Sequence, residues 1–281
     1  LSIQTSKLIL ATLATLLLSP LAYAQDDLIQ PSERETYTCA DEQKYFESWS
    51  KIAGTMPETK LLQLVPNSQI VTVTAADNRT LRGLRMREGE GAKDALLVIQ
   101  GNAWSTKSIV SIAPLFPTKK LDIFVFDFRG YGLSKPGNAT MSAIISDYRD
   151  IGVWLQLQGY RNLYVYAYSF GGVIALNAFS TTSTFRRIVL DSVPARPSQM
   201  NFHCKVSYDP VDKVPQPCSS IAFMHGTSDW VVPRQYTQPL IDAVSACGGV
   251  LDINESRGHP FQIEWQSSRI RRIDAMIRHL K

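Results

Sequence analysis

The sequence predicts an α/β fold, with a mostly parallel, doubly wound sheet, an antiparallel hairpin at its N-terminal end and no large cap domain. Three observations lead there. The segments "ALLVIQG", "LDIFVFDFRG", "LYVYAYSFGG", "RRIVLDS" and "SSIAFMHG" are solid apolar runs rather than alternating ones, which is the pattern of strands covered on both faces. Segments of helical period separate them, so right-handed strand–helix–strand crossovers connect them naturally. The chain has 281 residues, 44% of them hydrophobic, enough to bury one sizeable core.

From the N-terminus, residues 1–24 read as a signal peptide. Lys7 precedes the apolar run "LILATLATLLLSP", and an Ala-x-Ala cleavage site ends at Ala24. That run is too short to span a bilayer comfortably. The expectation is an exported chain starting at Gln25, periplasmic or secreted, with no stable membrane anchor after cleavage. Residues 25–68 read as an N-terminal extension and residues 69–281 as the globular domain.

Within that domain, "QIVTVTA" and "TLRGLRMR" alternate on either side of the turn "ADN", which predicts a hairpin. In "TMSAIISDYRDIGVWLQLQGY" the apolar residues Met141, Ile144, Ile145, Tyr148, Ile151 and Leu155 follow the helical period, and Gly159 is placed to end that helix. "FGGVIALNAF" and "PRQYTQPLIDAVSAC" read as further helices, "GVLDIN" as the last strand, and a final helix runs from about Pro260 to the end.

Composition excludes several functions. Net charge is +4 and the basic residues are scattered, whereas a nucleic-acid surface gathers them on one stripe. The arginines of "SSRIRRIDAMIRHLK" read as a solvated helix face. Neither G-x-G-x-x-G nor a P-loop is present, and neither C-x-x-C nor H-E-x-x-H spacing occurs, so no cofactor and no metal are implied. The four cysteines are Cys39, Cys204, Cys218 and Cys247. In an oxidising compartment an even count favours two disulfides. Cys204 and Cys218 share one Pro-rich connection, which favours that pair; Cys39 with Cys247 follows only by elimination.

Ligands of such sheets bind beyond the carboxyl ends of the strands, so the residues just after each strand matter most. In "YVYAYSFGG", Ser169 follows a strand and opens a helix. A tight strand-to-helix bend needs small neighbours, which Ala167 and Gly171 supply, and it would push the Ser169 hydroxyl out above the sheet beside a positive helix end. A serine that only caps the helix is the plainer reading. A serine hydroxyl is a poor nucleophile until a base takes its proton, and the base needs an orienting acid. "HGTSDWVVP" places Asp229 just after a strand and "NESRGHPF" places His259 in a later loop. Each has an ordinary reading alone, as a cap and as a turn residue. Together they complete the order Ser, Asp, His.

From about Ile70 onward the chain resembles the α/β-hydrolase-fold serine hydrolases. The resemblance rests on "VIQGNAW", "FDFRGYGLS", "AYSFGG" and "HGTSDWVVP", with "RGHPF" a looser match. It implies an esterase-like enzyme with a Ser169–His259–Asp229 triad and an oxyanion hole made by the backbone N–H groups of Asn102 and Phe170. Gln100 replaces the usual first His of a His-Gly pair, which puts the rigidity of that loop in question rather than its backbone donors. Trp104, Tyr131 and Trp230 are expected as apolar walls for the substrate, with core packing as the alternative. Asp191, after "RRIVL", is a rival triad acid, because some members take the acid from that strand. Asp127 reads as structural, as does His225; His203 and His279 sit in no motif. The segment between "RRIVLDS" and "SSIAFMHG" is short and Pro-rich, so it makes a flap, pinned by Cys204–Cys218, rather than a lid domain.

The resemblance thus implies an exported serine hydrolase acting on a small-molecule or acyl ester substrate through an acyl-enzyme. Transfer of the acyl group to another acceptor, and cleavage of amides or peptides, use the same parts. A non-catalytic binding protein on this scaffold is the reading from another class. Acyl length, natural substrate and oligomeric state are not written in the sequence.

Overall fold

The computed structural model describes residues 37–38, 40–87, 89, 91–117, 121–200, 202–203, 207–254, 257–261 and 266–278. The predicted signal peptide, Cys39, Cys204 and His279 lie outside them. In chain order the elements are β1 (Tyr37–Thr38), α1 (Glu42–Ala53), α2 (Glu58–Leu64), β2 (Ser68–Thr74), β3 (Thr80–Met86), β4 (Asp94–Ile99), α3 (Thr106–Ile109), β5 (Asp122–Phe126), α4 (Met141–Leu157), β6 (Asn162–Tyr168), α5 (Phe170–Phe179), β7 (Arg187–Asp191), β8 (Phe202–His203), β9 (Ile221–Gly226), α6 (Arg234–Ala246), β10 (Val250–Asn254) and α7 (Gln266–Arg278).

Eight strands form one sheet in the order β10-β9-β7-β6-β4-β5-β3-β2. Pairing is parallel from β10 to β5 and antiparallel for β3 against both β5 and β2. The predicted hairpin is β2–β3, and the solid apolar runs are the central strands. β5 is buried at every position, while the edge strand β2 alternates buried and exposed residues along most of its length. A central strand meets helices on both faces and an edge strand keeps one face in water, so the two sequence patterns follow from place in the sheet. Each strand sends alternate side chains to opposite faces. Leu97, Phe124, Val165 and Leu190 join the layer of α4, α5 and α6, and Leu96, Ile123, Tyr166 and Val189 join that of α2, α3 and α7.

Among the described residues, no large cap covers the carboxyl end of the sheet. The described residues between 192 and 219 form a short flap pinned to the body: the Ala195 N–H donates to the Tyr236 carbonyl at 2.7 Å, and Asn177 Nδ2 donates to the Tyr208 carbonyl at 2.9 Å. Within the flap, Asp209 accepts from the Ser198 N–H and hydroxyl at 3.2 and 2.7 Å. Among the described residues, no helix is long and apolar enough to cross a membrane.

Two expectations are corrected. Cys218 is bonded to Cys247, with a Cα–Cα distance of 5.3 Å, and so neither to Cys204 nor by the Cys39–Cys247 pairing. Cys218 leads into β9, Cys247 closes α6 on the way to β10, and β9 and β10 are neighbours. The Cys218 N–H donates to the Cys247 carbonyl at 3.1 Å. Sheet adjacency brought the thiols together, and closeness along the chain was the wrong guide. The final helix is also shorter than predicted. Residues around Pro260 form a turn, and Phe261 has φ +64°, a left-handed conformation that a helix cannot include.

Candidate active site

β6 ends at Tyr168, and Ser169 turns the chain into α5. Ser169 has φ 52° and ψ −126°, well outside the regions a side chain favours. Such strain costs about 1–3 kcal/mol and persists where the surroundings enforce it. They do so here: the Ser169 N–H donates to the Asp191 carbonyl at 2.9 Å, and the Gly172 N–H donates to the Ser169 carbonyl at 3.1 Å. Gly171 allows the bend, because a Cβ there would lie 2.2 Å from the Ile99 carbonyl oxygen. That contact presses the first turn of α5 against the end of β4. On the other side, a Cβ on Gly101 would lie 3.5 Å from the Ser169 Cβ. The loop after β4 thus runs beside the serine.

Asp229 follows β9 in a turn closed by its own N–H on the Gly226 carbonyl, 3.0 Å. Its Oδ1 accepts from the N–H groups of Val231 and Val232 at 2.9 and 2.8 Å. Its Oδ2 lies 2.8 Å from His259 Nδ1. Burial opposes the charge on Asp229, but His259, the Val232 N–H and the Ser192 hydroxyl outweigh it and hold the carboxyl below its ordinary range. An ionised carboxylate only accepts, so His259 Nδ1 is the donor of this bond, which in the neutral ring leaves Nε2 as the acceptor. The histidine loop is tied to the acid loop by Thr227 N–H on Asn254 carbonyl (3.0 Å) and Ser228 N–H on Arg257 carbonyl (3.1 Å).

The rival acid is engaged elsewhere. Asp191 is fully buried. Its Oδ2 accepts from Arg269 Nε at 2.7 Å and from the Tyr166 hydroxyl at 2.8 Å, and its Oδ1 from Arg269 Nη2 at 3.2 Å. The same Nη2 donates to the Gly258 carbonyl at 2.9 Å, so α7 steadies the residue before His259.

The loop after β4 carries Asn102 and Trp104. Among the described residues, neither the Asn102 N–H nor the Phe170 N–H has a hydrogen-bond acceptor. For Phe170 that is inherent, since the first N–H groups of a helix have no partner within it. Gln100 is buried, and its Nε2 approaches Asp127 Oδ1 at 3.5 Å. Asp127 does most of the work of fixing the loop. It accepts from the Thr106 N–H (2.6 Å), the Thr106 hydroxyl (2.8 Å) and the Leu133 N–H (2.7 Å). Burial pushes its carboxyl up, against those hydrogen bonds. Loop rigidity is therefore supplied without the missing histidine.

Of the expected walls, Trp104 packs edge-on against Tyr168, with ring centroids 5.8 Å apart, and against Phe261 at 5.5 Å. Trp230 is exposed beside Asp229. Tyr131 is wholly buried and reaches the region through its hydroxyl, which donates to Asn102 Oδ1 at 2.8 Å. His225 is buried in β9, and burial pushes its pKa down, keeping the ring neutral. Sequence reasoning missed Phe261, Arg269 and Tyr45. Only Phe261 had a local signal, its place just after His-Pro. Among the described residues, no group of three His, Cys, Asp or Glu side chains could hold a metal ion.

Residues 94–212 match the family model described as the alpha/beta hydrolase fold. Solved structures agree over most of the chain. An esterase of Pyrococcus furiosus is 15% identical, with a TM-score of 0.62, over 81% of this chain and 95% of its own. The esterase domain of a Rhodothermus marinus protein is 14% identical, with a TM-score of 0.56, over 74% and 98%. A serine hydrolase without a lid from Xanthomonas campestris is 16% identical, with a TM-score of 0.55, over 79% and 94%. No curated protein matches the sequence. The chain has the α/β-hydrolase fold.

Proposed function

We propose that this chain is an exported serine hydrolase that cleaves carboxylic esters. Ser169 attacks the acyl carbon. His259 takes its proton at Nε2 and later returns it to the leaving alcohol. Asp229 holds the imidazole in the tautomer that can do this and stabilises the imidazolium. The N–H groups of Asn102 and Phe170 receive the developing oxyanion; losing one such donor typically costs about 10²–10³ in turnover. Water then releases the acyl-enzyme.

The observation that carries the reading is the Asp229–His259 hydrogen bond of 2.8 Å, made by the two residues that complete the Ser-Asp-His order with the strained Ser169. Similar folds named as esterases support an ester as substrate, and others named as a prolyl endopeptidase and a puromycin hydrolase keep amide cleavage as the second reading. The short flap favours a substrate that needs no closed chamber, such as an acyl group carried on a larger molecule. Export is supported by the n-region, apolar run and Ala-x-Ala site of residues 1–24 and by the Cys218–Cys247 disulfide.

A fluorophosphonate probe tests the chemistry. Native protein should label and should hydrolyse short p-nitrophenyl esters, and Ser169→Ala should abolish both while folding normally. Full hydrolysis by a clean preparation of Ser169→Ala would defeat the proposal. Failure of native protein to label would favour a binding protein on the same scaffold.

A further inference from the structure

Residues 25–68 read from sequence as an extension ahead of the domain, yet α1 lies against both proposed oxyanion donors. Two consecutive side chains of that helix make the contacts. The Tyr45 hydroxyl accepts from Asn102 Nδ2 at 2.8 Å. The Phe46 ring packs edge-on to Phe170, with centroids 5.7 Å apart.

We propose that Tyr45 is a positioning residue of the oxyanion hole, acting through the Asn102 side chain; this rests on the reading of Asn102 as an oxyanion donor. Asn102 is gripped at both ends of its amide: Nδ2 donates to Tyr45, and Oδ1 accepts from the Tyr131 hydroxyl at 2.8 Å. Donor and acceptor are both used, so the loop carrying the Asn102 N–H is held from two sides.

Both anchors are themselves fixed. Tyr131 is fully buried, and its backbone donates to the Phe128 carbonyl and accepts from the Ser134 N–H, each at 2.8 Å. α1 is fastened along its length. Glu42 Oε1 accepts from the Met141 N–H at 2.6 Å, and the Ser50 hydroxyl donates to the Gly130 carbonyl at 2.7 Å. At its end, the Ser105 hydroxyl, in the same loop as Asn102, approaches the carbonyls of Ala53 and Gly54 at 3.2 Å each. On the other donor, Phe46 and Phe128 pack on the Phe170 ring. The helix ahead of the domain therefore holds the Asn102 side chain and packs on the ring of the residue that carries the second N–H. A donor displaced by an ångström stabilises an oxyanion far less, because the benefit comes from dipoles aimed beforehand.

Tyr45→Phe in the full chain tests this, since it removes the acceptor and leaves the ring. Losing a donor costs about 10²–10³; loosening one should lower kcat by about tenfold, with KM changed less than twofold. Affinity for phenylboronic acid, whose serine adduct is tetrahedral, should fall in proportion. Asn102→Ala, which keeps the N–H but loses both grips, should show at least that loss, and the double variant should be no worse than Asn102→Ala alone. An unchanged kcat in Tyr45→Phe, a rise in KM alone, or losses that multiply in the double variant would each overturn the proposal. If Tyr45→Phe failed to fold, Asn102→Ala would carry the test, and an unchanged kcat there would refute it. Ser169→Ala run alongside separates this failure from the other: ester hydrolysis that does not depend on Ser169 sinks the hydrolase reading itself.

Discussion

Asp191 and Asp229 stand at the ends of neighbouring strands, and exchanging each for asparagine should separate stability from chemistry. Asp191→Asn removes the charge that balances Arg269 where the two side chains are 0% and 1% exposed. Breaking a buried pair by removing one partner costs about 3–5 kcal/mol, because the other charge stays buried and unpaired. In a domain of this size each kcal/mol moves Tm by about 2–4 °C, so the melting temperature should fall by about 6–20 °C. Turnover by the folded fraction should stay within about tenfold, since Arg269 reaches the histidine loop only through the Gly258 carbonyl. Asp229→Asn should cost turnover far more than stability. An amide in place of the carboxylate no longer holds the proton on Nδ1, and the same change in a Ser-His-Asp triad costs about 10⁴ in kcat.

The assay is a thermal melt paired with steady-state ester hydrolysis at a temperature where both variants are folded. An Asp191→Asn protein with native Tm and lost kcat would move the triad acid to Asp191 and refute the assignment. Acid titration adds a check of sign. The Asp229 carboxyl is held below its ordinary range in the folded state. A depressed folded pKa contributes stability above the unfolded value of about 3.9 and loses it as pH falls through the folded value. The stability gap between native protein and Asp229→Asn should therefore narrow below about pH 4. A gap that widens there would mean that the carboxylate is not stabilised as described.

Three further outcomes are expected. Non-reducing peptide mapping should recover a Cys218–Cys247 cross-link, and replacing both cysteines with serine should cost about 3.6 kcal/mol in the chain-entropy model for a separation of 29 residues; a Cys204–Cys218 peptide would contradict the fold at β9. Gly132→Ala should destabilise by at least ~2 kcal/mol in denaturant melts, because Gly132 has φ +40° and a Cβ there would lie 2.1 Å from Asp127 Oδ2; a neutral effect would show that Asp127 does not hold that loop. Intact mass of protein exported by a bacterial host should start at Gln25, and a full-length mass in the exported fraction would count against cleavage.

The sheet was legible because burial on both faces leaves short unbroken apolar runs bounded by turn residues. β4, β5 and β6 lie in the middle of the sheet and are written as unbroken apolar runs, whereas β2 at the edge alternates. What failed was anything decided by sheet order rather than by neighbours along the chain. The Cys218–Cys247 pair depends on β9 lying beside β10. The late start of α7 depends on the turn through Phe261, whose ring packs on Tyr168 with centroids 4.9 Å apart. An apolar residue after proline looks the same whether it opens a helix or fills a wall.

The candidate site divides along the same line. Ser169, Asp229 and His259 stand out in the sequence as candidates because each sits at a bend that restricts its neighbours: small residues about the serine, backbone donors after the acid, glycine before the histidine. The residues that aim them carry no such constraint. Tyr45 is one aromatic among several on α1, and nothing near it in sequence announces Asn102. Arg269 reads as one more arginine on a basic helix, yet its guanidinium is buried against Asp191. A helix face counted as solvated by its composition thus hides a cation that enters the core beneath the site. Arg271 and Arg272, exposed on that helix, could be exchanged for lysine at small cost, because exposed pairs contribute about 0–1 kcal/mol. Arg269 could not, because its planar fork spans both oxygens of Asp191 and the Gly258 carbonyl at once, and a lysine would reach only one of them.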